Sequence, residues 1–176
     1  MILQKIVIFD SKFSYGILGL YDFQNISVKI EDISSSTDVI LLVMTRWTSF
    51  DRRAFYRKSL QNSRHTKHTF KLLFLFNWTN STSQSELENL REESEKYHDL
   101  ILPKVEDSYK TQVFLLMSAF NWFDQLQHLK WIVKLNDDII VNMTMLDHLH
   151  KSHKKDAISC YNVRGAPVVR DPDAKW

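Results

Sequence analysis

The sequence is poor in the residues that build disulfide frameworks and flexible linkers. Its 176 residues include one cysteine, three glycines and three prolines. The lone cysteine, Cys160, excludes an internal disulfide and a thiolate metal cage. With so little glycine and proline, long flexible linkers are not expected. The length therefore predicts one compact domain with room for a sizeable core.

A strong charge imbalance and long apolar runs are also missing. The net charge of +2 is too small to indicate binding to nucleic acid or to a membrane surface. No segment approaches the roughly 18 consecutive apolar residues that a membrane span needs. Lys5, Asp10 and Lys12 make the first twenty residues a poor signal peptide or anchor. If the protein works in a membrane-bound organelle, we expect its anchor to lie outside this sequence.

One weak signal favours the secretory route. Four triplets have the Asn-x-Ser/Thr pattern that accepts N-linked glycans, beginning at Asn25, Asn77, Asn80 and Asn142. Such triplets arise often by chance, so they shift the balance only slightly.

From residue 38 onward, apolar runs alternate with helical patterns. The predicted strands are 39–44, 70–76, 99–102, 131–135 and 157–163, with a short further strand at 139–141. The predicted helices are 51–60, 85–97, about 107–128 and 144–152. This alternation predicts an α/β fold with a mostly parallel sheet flanked by helices. We assign residues 1–37 to a poorly defined N-terminal extension and residues 38–176 to the domain itself.

Three local details complete this interpretation. Asp51 is placed to cap the first helix, and Ser85 with Glu88 has the spacing of a capping box for the second. In the third helix, a stripe at helical spacing predicts the buried face: Val113, Leu116, Met117, Phe120 and Phe123.

The sharpest chemical feature is the acidic cluster after the strand at 131–135. Asn136, Asp137 and Asp138 follow its carboxyl end, where open parallel sheets bind their ligands. Two adjacent carboxylates repel each other unless a cation joins them. An oxygen-preferring divalent ion, Mn²⁺ or Mg²⁺, would relieve this repulsion and bind a substrate diphosphate. The alternative is that the two acids cap a turn or face water.

Four segments together resemble motifs of one family. Lys134-Leu-Asn-Asp-Asp-Ile-Ile-Val-Asn142 resembles a Lys-x-Asp-Asp-Asp-x-Phe-Val-Asn segment, and residues 53–60 resemble an Arg-x-x-Ile-Arg-x-Thr-Trp motif. Residues 97–109 resemble a Tyr-x-Asp-Ile-Ile and Asp-Ser-Tyr pair, and residues 169–176 an Arg-Asp-Pro and Lys-Trp stretch. They occur over residues 38–176 in the order of glycosyltransferase family 31, the β-1,3-galactosyltransferase-like hexosyltransferases.

The resemblance implies the sugar-nucleotide-binding half of a GT-A-like fold, with an incomplete acceptor half. It implies transfer of a hexose, galactose or an N-acetylhexosamine, from a UDP-sugar to a glycan on a glycoprotein or glycolipid. The transfer would be inverting and dependent on Mn²⁺ or Mg²⁺, with a β-1,3 linkage. The expected location is the lumenal side of the Golgi membrane, through a type II anchor in the full-length protein.

The resemblance also implies roles for individual residues. Asp138 would be the direct metal ligand, and Asp137 would lie beside it. Asn136 and Asp137 would support the metal or contact the nucleotide, and Asp107 would order a loop or cap the third helix. Arg53 and Arg57 resemble arginines beside the nucleotide, unless they lie on a solvated helix face. Thr45 and Arg46, at the end of the first predicted strand, are placed to meet the uridine.

Three departures from the family pattern support a second hypothesis. Asn136 stands where the family has an aspartate, and Leu115 stands where it has a lysine. In the family, the acceptor region and the catalytic base lie beyond the position of Trp176. We therefore name no base, and we expect little or no transferase activity from the 176-residue chain. The alternative to an enzyme is a non-catalytic or vestigial sugar-nucleotide-binding domain.

Overall fold

A computed structural model describes residues 7–10, 23, 27–61, 68–77, 82–104, 111–144, 146 and 158–159. Predictions for Asp107, Cys160 and residues 169–176 lie outside the described residues. The elements, in chain order, are β1 (Val7–Asp10), a 3-10 turn (Ile30–Asp32), β2 (Val39–Met44), α1 (Phe50–Gln61), β3 (Phe70–Leu75), α2 (Gln84–Tyr97), β4 (Leu100–Ile101), α3 (Gln112–Phe123), β5 (Trp131–Asn136) and β6 (Ile158–Ser159).

These strands form a six-stranded sheet in the order β4-β3-β2-β5-β1-β6. The four neighbours β4, β3, β2 and β5 are parallel. β1 pairs antiparallel with β5, and β6 pairs antiparallel with β1. The predicted α/β fold with a mostly parallel sheet is confirmed. β1 lies within the predicted N-terminal extension, so that part of the chain contributes a strand to the sheet.

β2 is continuously apolar because both of its faces are covered. Ile40 and Leu42 pack in the core layer that contains α3. Leu41 and Val43 pack in the opposite layer, with Tyr56 of α1 and Leu90 of α2. Helices therefore cover both faces of the sheet, and the polar strand ends are left as the place for a ligand.

The strand order changes direction at β2. The chain passes from β2 to β3 and β4 on one side, and then returns to place β5 on the other side of β2. In the parallel register, Met44 at the end of β2 pairs with Asn136 at the end of β5. Ligands of open α/β sheets bind in the crevice at such a switch point, outside the carboxyl ends of the strands.

The ends of the first two helices differ from the predictions. α1 begins at Phe50, so Asp51 lies in its first turn and does not cap it. The capping box of α2 is formed by Ser83 and Glu86, two residues before the predicted pair. The Ser83 side chain accepts from the Glu86 amide, and the Glu86 carboxylate accepts from the Ser83 amide. Two capping-box spacings overlap in this serine-rich stretch, which is why the sequence pattern selected the wrong one.

The third helix is shorter than predicted in its described part, because the chain leaves the helix after Phe123. Leu126 and Leu129 remain buried, so the core contact continues through turns. The predicted stripe is partly wrong. Val113 is 56% exposed, whereas Leu115 and Ala119 face the core. Residues 139–141 form no strand, because the chain turns after β5 and the Ile139 amide donates to the Asn136 carbonyl at 3.3 Å.

Candidate functional site

A polar cleft of about 620 Å³ opens at the carboxyl ends of β2 and β5. Its lining comes from the strand ends, the following loops and the start of α3. The lining residues are Met44, Thr45, Arg46, Trp47, Thr48, Phe76, Asn77, Gln112, Leu115, Asn136, Asp137 and Asp138. Five residues predicted from the sequence therefore meet in one cleft, namely Thr45, Arg46, Asn136, Asp137 and Asp138.

Asp137 is tied to both neighbouring elements. Its Oδ2 accepts from Thr45 Oγ1 at 2.8 Å, and its Oδ1 accepts from Arg52 Nη1 at 2.7 Å. Its backbone amide also donates to the Met44 carbonyl at 3.1 Å, which extends the pairing of β2 and β5 by one bond. The carboxylate is thereby held in a fixed orientation at the wall of the cleft.

Asp138 has a different environment from its neighbour. It is exposed and lines the cleft, whereas the Asp137 side chain is only 14% exposed. An exposed carboxylate in the cleft lining is accessible to a cation from solution. Of the two acids, Asp138 is therefore the better placed to take a new ligand.

The backbone around Asn136 is held by hydrogen bonds from α1. The Tyr56 hydroxyl of α1 donates to the carbonyls of Asn136, at 3.0 Å, and Ile139. Burial, together with the nearby charge of Asp137, raises the pKa of Tyr56 to about 12, so the hydroxyl keeps its proton at neutral pH. The Asn136 side chain accepts from Lys134 Nζ at 2.6 Å. These bonds fix the turn that presents the two aspartates.

Thr45 and Arg46 enter the cleft from the end of β2. The Thr45 hydroxyl is bound to Asp137, so its position depends on that carboxylate. The Arg46 side chain is exposed and lines the cleft. A guanidinium is always charged and donates in a planar fork that matches phosphate oxygens.

Arg53 and Arg57 lie outside the cleft lining, in a buried ion-pair network behind it. Arg53 is fully buried and binds both oxygens of Glu93, at 2.9 and 2.6 Å. Arg57 binds Glu93 at 2.8 Å and both oxygens of Asp99, at 2.7 and 2.8 Å. Neither arginine lies on a solvated helix face, and neither lines the cleft in which the nucleotide contact was expected. The motif spacing singled out this pair of arginines, but it contained no information about their carboxylate partners on other elements.

The pKa shifts of this network follow from burial and charge. Burial raises the pKa of Glu93, but the hydrogen bonds and charges of Arg53 and Arg57 outweigh it and lower the pKa below its usual value of 4.5. Burial lowers the pKa of Arg57, but Asp99 and Glu93 more than compensate and raise it. Glu93 and Arg57 are thus held in their charged forms.

Several lining residues were not assigned to the site from the sequence. Phe76 and Asn77 follow β3, so the argument from strand ends that found Thr45 also applies to them. Asn77 is 6% exposed, which makes it a poor glycan acceptor in the folded chain despite its triplet. Gln112 and Leu115 come from α3, in the opposite layer, and no local pattern places them beside the strand ends.

The oxygen donors of the cleft suit a divalent cation whose remaining ligands come from substrate phosphates and water. Among the described residues, no group of three or more His, Cys, Asp or Glu side chains could hold a metal ion by itself. Asp137 and Asp138 are two oxygen donors in the lining. Mg²⁺ and similar ions are commonly bound by one or two carboxylates together with substrate phosphates and water. The residues present fit such an ion.

Comparison with known proteins adds an independent observation. A family model described as galactosyltransferase matches residues 51–176. Beta-1,3-galactosyltransferase 2 of Mus musculus is 30% identical over 94 residues, which cover 49% of this chain and 22% of that protein. Beta-1,3-galactosyltransferase 1 of Mus musculus and of Homo sapiens are each 26% identical over 143 residues, covering 78% of this chain and 43% of those proteins. The chain spans less than half the length of these relatives.

Proposed function

Since the chain belongs to the galactosyltransferase family, we propose that it is the donor-binding part of a hexosyltransferase that uses a UDP-sugar. The observation that carries the proposal is the cleft at the switch point of the sheet. Thr45, Arg46 and the 136–138 segment, which come from two separate strands, converge there. A polar cleft with one exposed guanidinium and paired carboxylates suits a nucleoside diphosphate with a divalent ion.

We assign the roles from the environments of the side chains. Asp138 is the principal ligand for Mn²⁺ or Mg²⁺, because it is exposed on the cleft. Asp137 supports it and orients Thr45 through their 2.8 Å bond. Arg46 donates to the diphosphate, and Asn136 and Thr45 contact the nucleotide. The bound metal would supply positive charge that stabilises the departing UDP.

The reaction we propose transfers galactose or an N-acetylhexosamine to a glycan acceptor with inversion, giving a β-1,3 linkage. In an inverting transfer, a carboxylate takes the proton of the acceptor hydroxyl as the hydroxyl attacks the anomeric carbon. We assign that role to no residue of this chain. The role of the described part is to bind the donor and to orient its diphosphate.

We also propose that the protein works on the lumenal side of the Golgi membrane, held by an anchor outside the described residues. Within the parts of the chain that the structure covers, no helix is long and apolar enough to cross a membrane. The support for this location is the family membership together with the Asn-x-Ser/Thr triplets.

The proposal is tested by titrating the chain with UDP in the presence and absence of Mn²⁺, using calorimetry. We expect binding in the presence of Mn²⁺, and we expect Asp138→Asn to weaken it by about 10- to 100-fold, because the substitution removes a charged metal ligand. Glu92→Gln, an exposed change on α2, is the matched control and should bind as the wild type does. Equal affinity of Asp138→Asn and wild type would exclude the assigned metal site.

A second candidate function, binding of the nucleotide without transfer, is favoured by one feature of the cleft. The buried Leu115 side chain lines it at the position where the resembled motif has a lysine. An apolar group there removes a positive charge from the donor site. The two functions are separated by incubation with UDP-sugars and a panel of glycan acceptors. Released UDP with a new glycosidic bond indicates the transferase, and tight UDP binding without turnover indicates the binding domain.

A further inference from the structure

We propose that Arg53 is a positioning residue for the cleft. Its buried guanidinium holds the backbone of the loop between β2 and α1, residues 45–49, which presents Thr45 and Arg46. The inference rests on the proposed function only for the identity of the ligand. The fixing of the loop itself is a property of the chain that can be measured without any ligand.

The guanidinium is bonded directly to the loop backbone. Arg53 Nη1 donates to the Arg46 carbonyl at 2.7 Å, and Nη2 donates to the Trp47 carbonyl at 3.2 Å. Both carbonyls belong to residues that line the cleft. One planar group therefore sets the spacing and direction of two consecutive peptide units.

The guanidinium is itself fixed from other elements. Glu93 of α2 accepts two hydrogen bonds from the Arg53 guanidinium. The Arg53 Cζ atom also lies over the rings of Phe50 and Phe76, 4.6 and 4.8 Å from their centroids. Arg53 is 0% exposed, so these bonds are shielded from bulk water. A buried charge that lost its partners would be strongly disfavoured. The loop is thus linked through Arg53 to α2 and to the end of β3.

The ends of the loop have their own attachments. At the start of the loop, the Thr45 amide donates to the Leu75 carbonyl at 3.2 Å, and the Thr45 hydroxyl donates to Asp137. At the end of the loop, the Ser49 amide donates to the Arg46 carbonyl at 3.0 Å. Arg53 supplies the bonds to the middle of the loop, where Arg46 and Trp47 turn toward the cleft. Without those bonds, the direction of the Arg46 side chain would be much less restricted.

Arg57 offers a matched comparison within the same network. It shares Glu93 with Arg53. Its Nε and Nη2 atoms also donate to the two carboxylate oxygens of Asp99. Its hydrogen bonds therefore run to α2 and to the residue before β4. Lysine at either position keeps the positive charge but has no planar fork, so it cannot bind a carboxylate and two carbonyls in the same arrangement.

The experiment compares Arg53→Lys with Arg57→Lys in the full chain. Hydrogen exchange of the Ser49 amide, without ligand, reports the order of the loop, and the Leu126 amide in the opposite layer is the internal reference. We expect Arg53→Lys to speed Ser49 exchange by about tenfold or more and to weaken UDP affinity by about tenfold, the factor for one lost hydrogen bond to a charged group. In Arg57→Lys, the Ser49 exchange rate and the UDP affinity should both stay within about threefold of the wild-type values.

Unchanged Ser49 exchange in Arg53→Lys would overturn the proposal, and so would equal effects of the two variants, which would indicate a general structural role for the network. If the wild type does not bind UDP, the proposed function fails, while the exchange measurement still decides the positioning role. Should Arg53→Lys not fold, Glu93→Asp is the second variant. It keeps the negative charge at position 93 and the positive charge of Arg53, but it withdraws the carboxylate from Arg53. Faster exchange of the Ser49 amide without faster exchange of the Leu126 amide in that variant supports the proposal. Unchanged Ser49 exchange, or equal acceleration of both amides, refutes it.

Discussion

Arg52 and Arg53 are neighbours in α1, yet they enter two different charged clusters. Arg52 is 56% exposed and reaches Asp137 at the cleft. Arg53 is fully buried and binds Glu93, which it shares with Arg57. Consecutive residues of a helix point about 100° apart, so one arginine faces the open end of the sheet and the other faces its interior.

The difference shows that the surroundings of a charge decide its role. In the cleft cluster, the Arg52 side chain and Asp138 are exposed, so a ligand can reach these charges from solvent at low cost. In the buried cluster, the charges of Arg53 and Arg57 are paired with those of Glu93 and Asp99, so a missing partner leaves an uncompensated charge. The first cluster is suited to binding, and the second is suited to holding the binding loop.

The largest effect should follow from breaking the buried cluster. Glu93→Gln removes the carboxylate that Arg53, which is fully buried, shares with Arg57, so we expect the free energy of unfolding to fall by about 3–5 kcal/mol. Glu92→Gln, one residue away on the exposed face of α2, should change it by no more than about 0.5 kcal/mol. Denaturant titration of both variants measures the contrast, and similar values for the two would mean that the buried cluster contributes no more than a surface charge.

The stability that the buried cluster contributes should also depend on pH, with a smaller effect than the loss of Glu93. The pKa of Glu93 is lowered by Arg53 and Arg57 despite its burial. A lowered pKa contributes stability that is present above the unfolded value of 4.5 and is lost as the pH falls through the folded value. The stability difference between wild type and Glu93→Gln should therefore be constant near neutral pH and shrink below about pH 4.5. A difference independent of pH down to about pH 3 would contradict the assigned charge state.

The smallest effect is expected at the cleft. Arg52→Gln removes an ion pair with one exposed partner, so the loss of stability should be about 0–1 kcal/mol. Thermal unfolding of this variant beside Glu93→Gln tests the ranking directly. A loss as large as that of Glu93→Gln would show that the two clusters do not differ in kind.

The sequence predicted what depends on local pattern. The alternation of apolar runs with helical patterns predicted the mostly parallel sheet, and the position of Asp137 and Asp138 after β5 indicated the edge of the sheet at which the cleft opens. The roles of Arg53 and Arg57 could not be predicted in this way. They depend on Glu93 and Asp99, which lie 36 to 42 residues further along the chain. Likewise, Leu115 reaches the cleft only because α3 packs on the opposite face of the sheet.

We propose that the cleft at the ends of β2 and β5 binds a nucleoside diphosphate together with a divalent ion at Asp138. A crystal structure of the chain grown with UDP and Mn²⁺, with anomalous diffraction data for manganese, tests it most directly. We predict an anomalous peak about 2.1 Å from an Asp138 carboxylate oxygen, with the diphosphate between that peak and Arg46. A manganese peak and UDP located outside the cleft, or UDP in the cleft with manganese elsewhere, would contradict the claim.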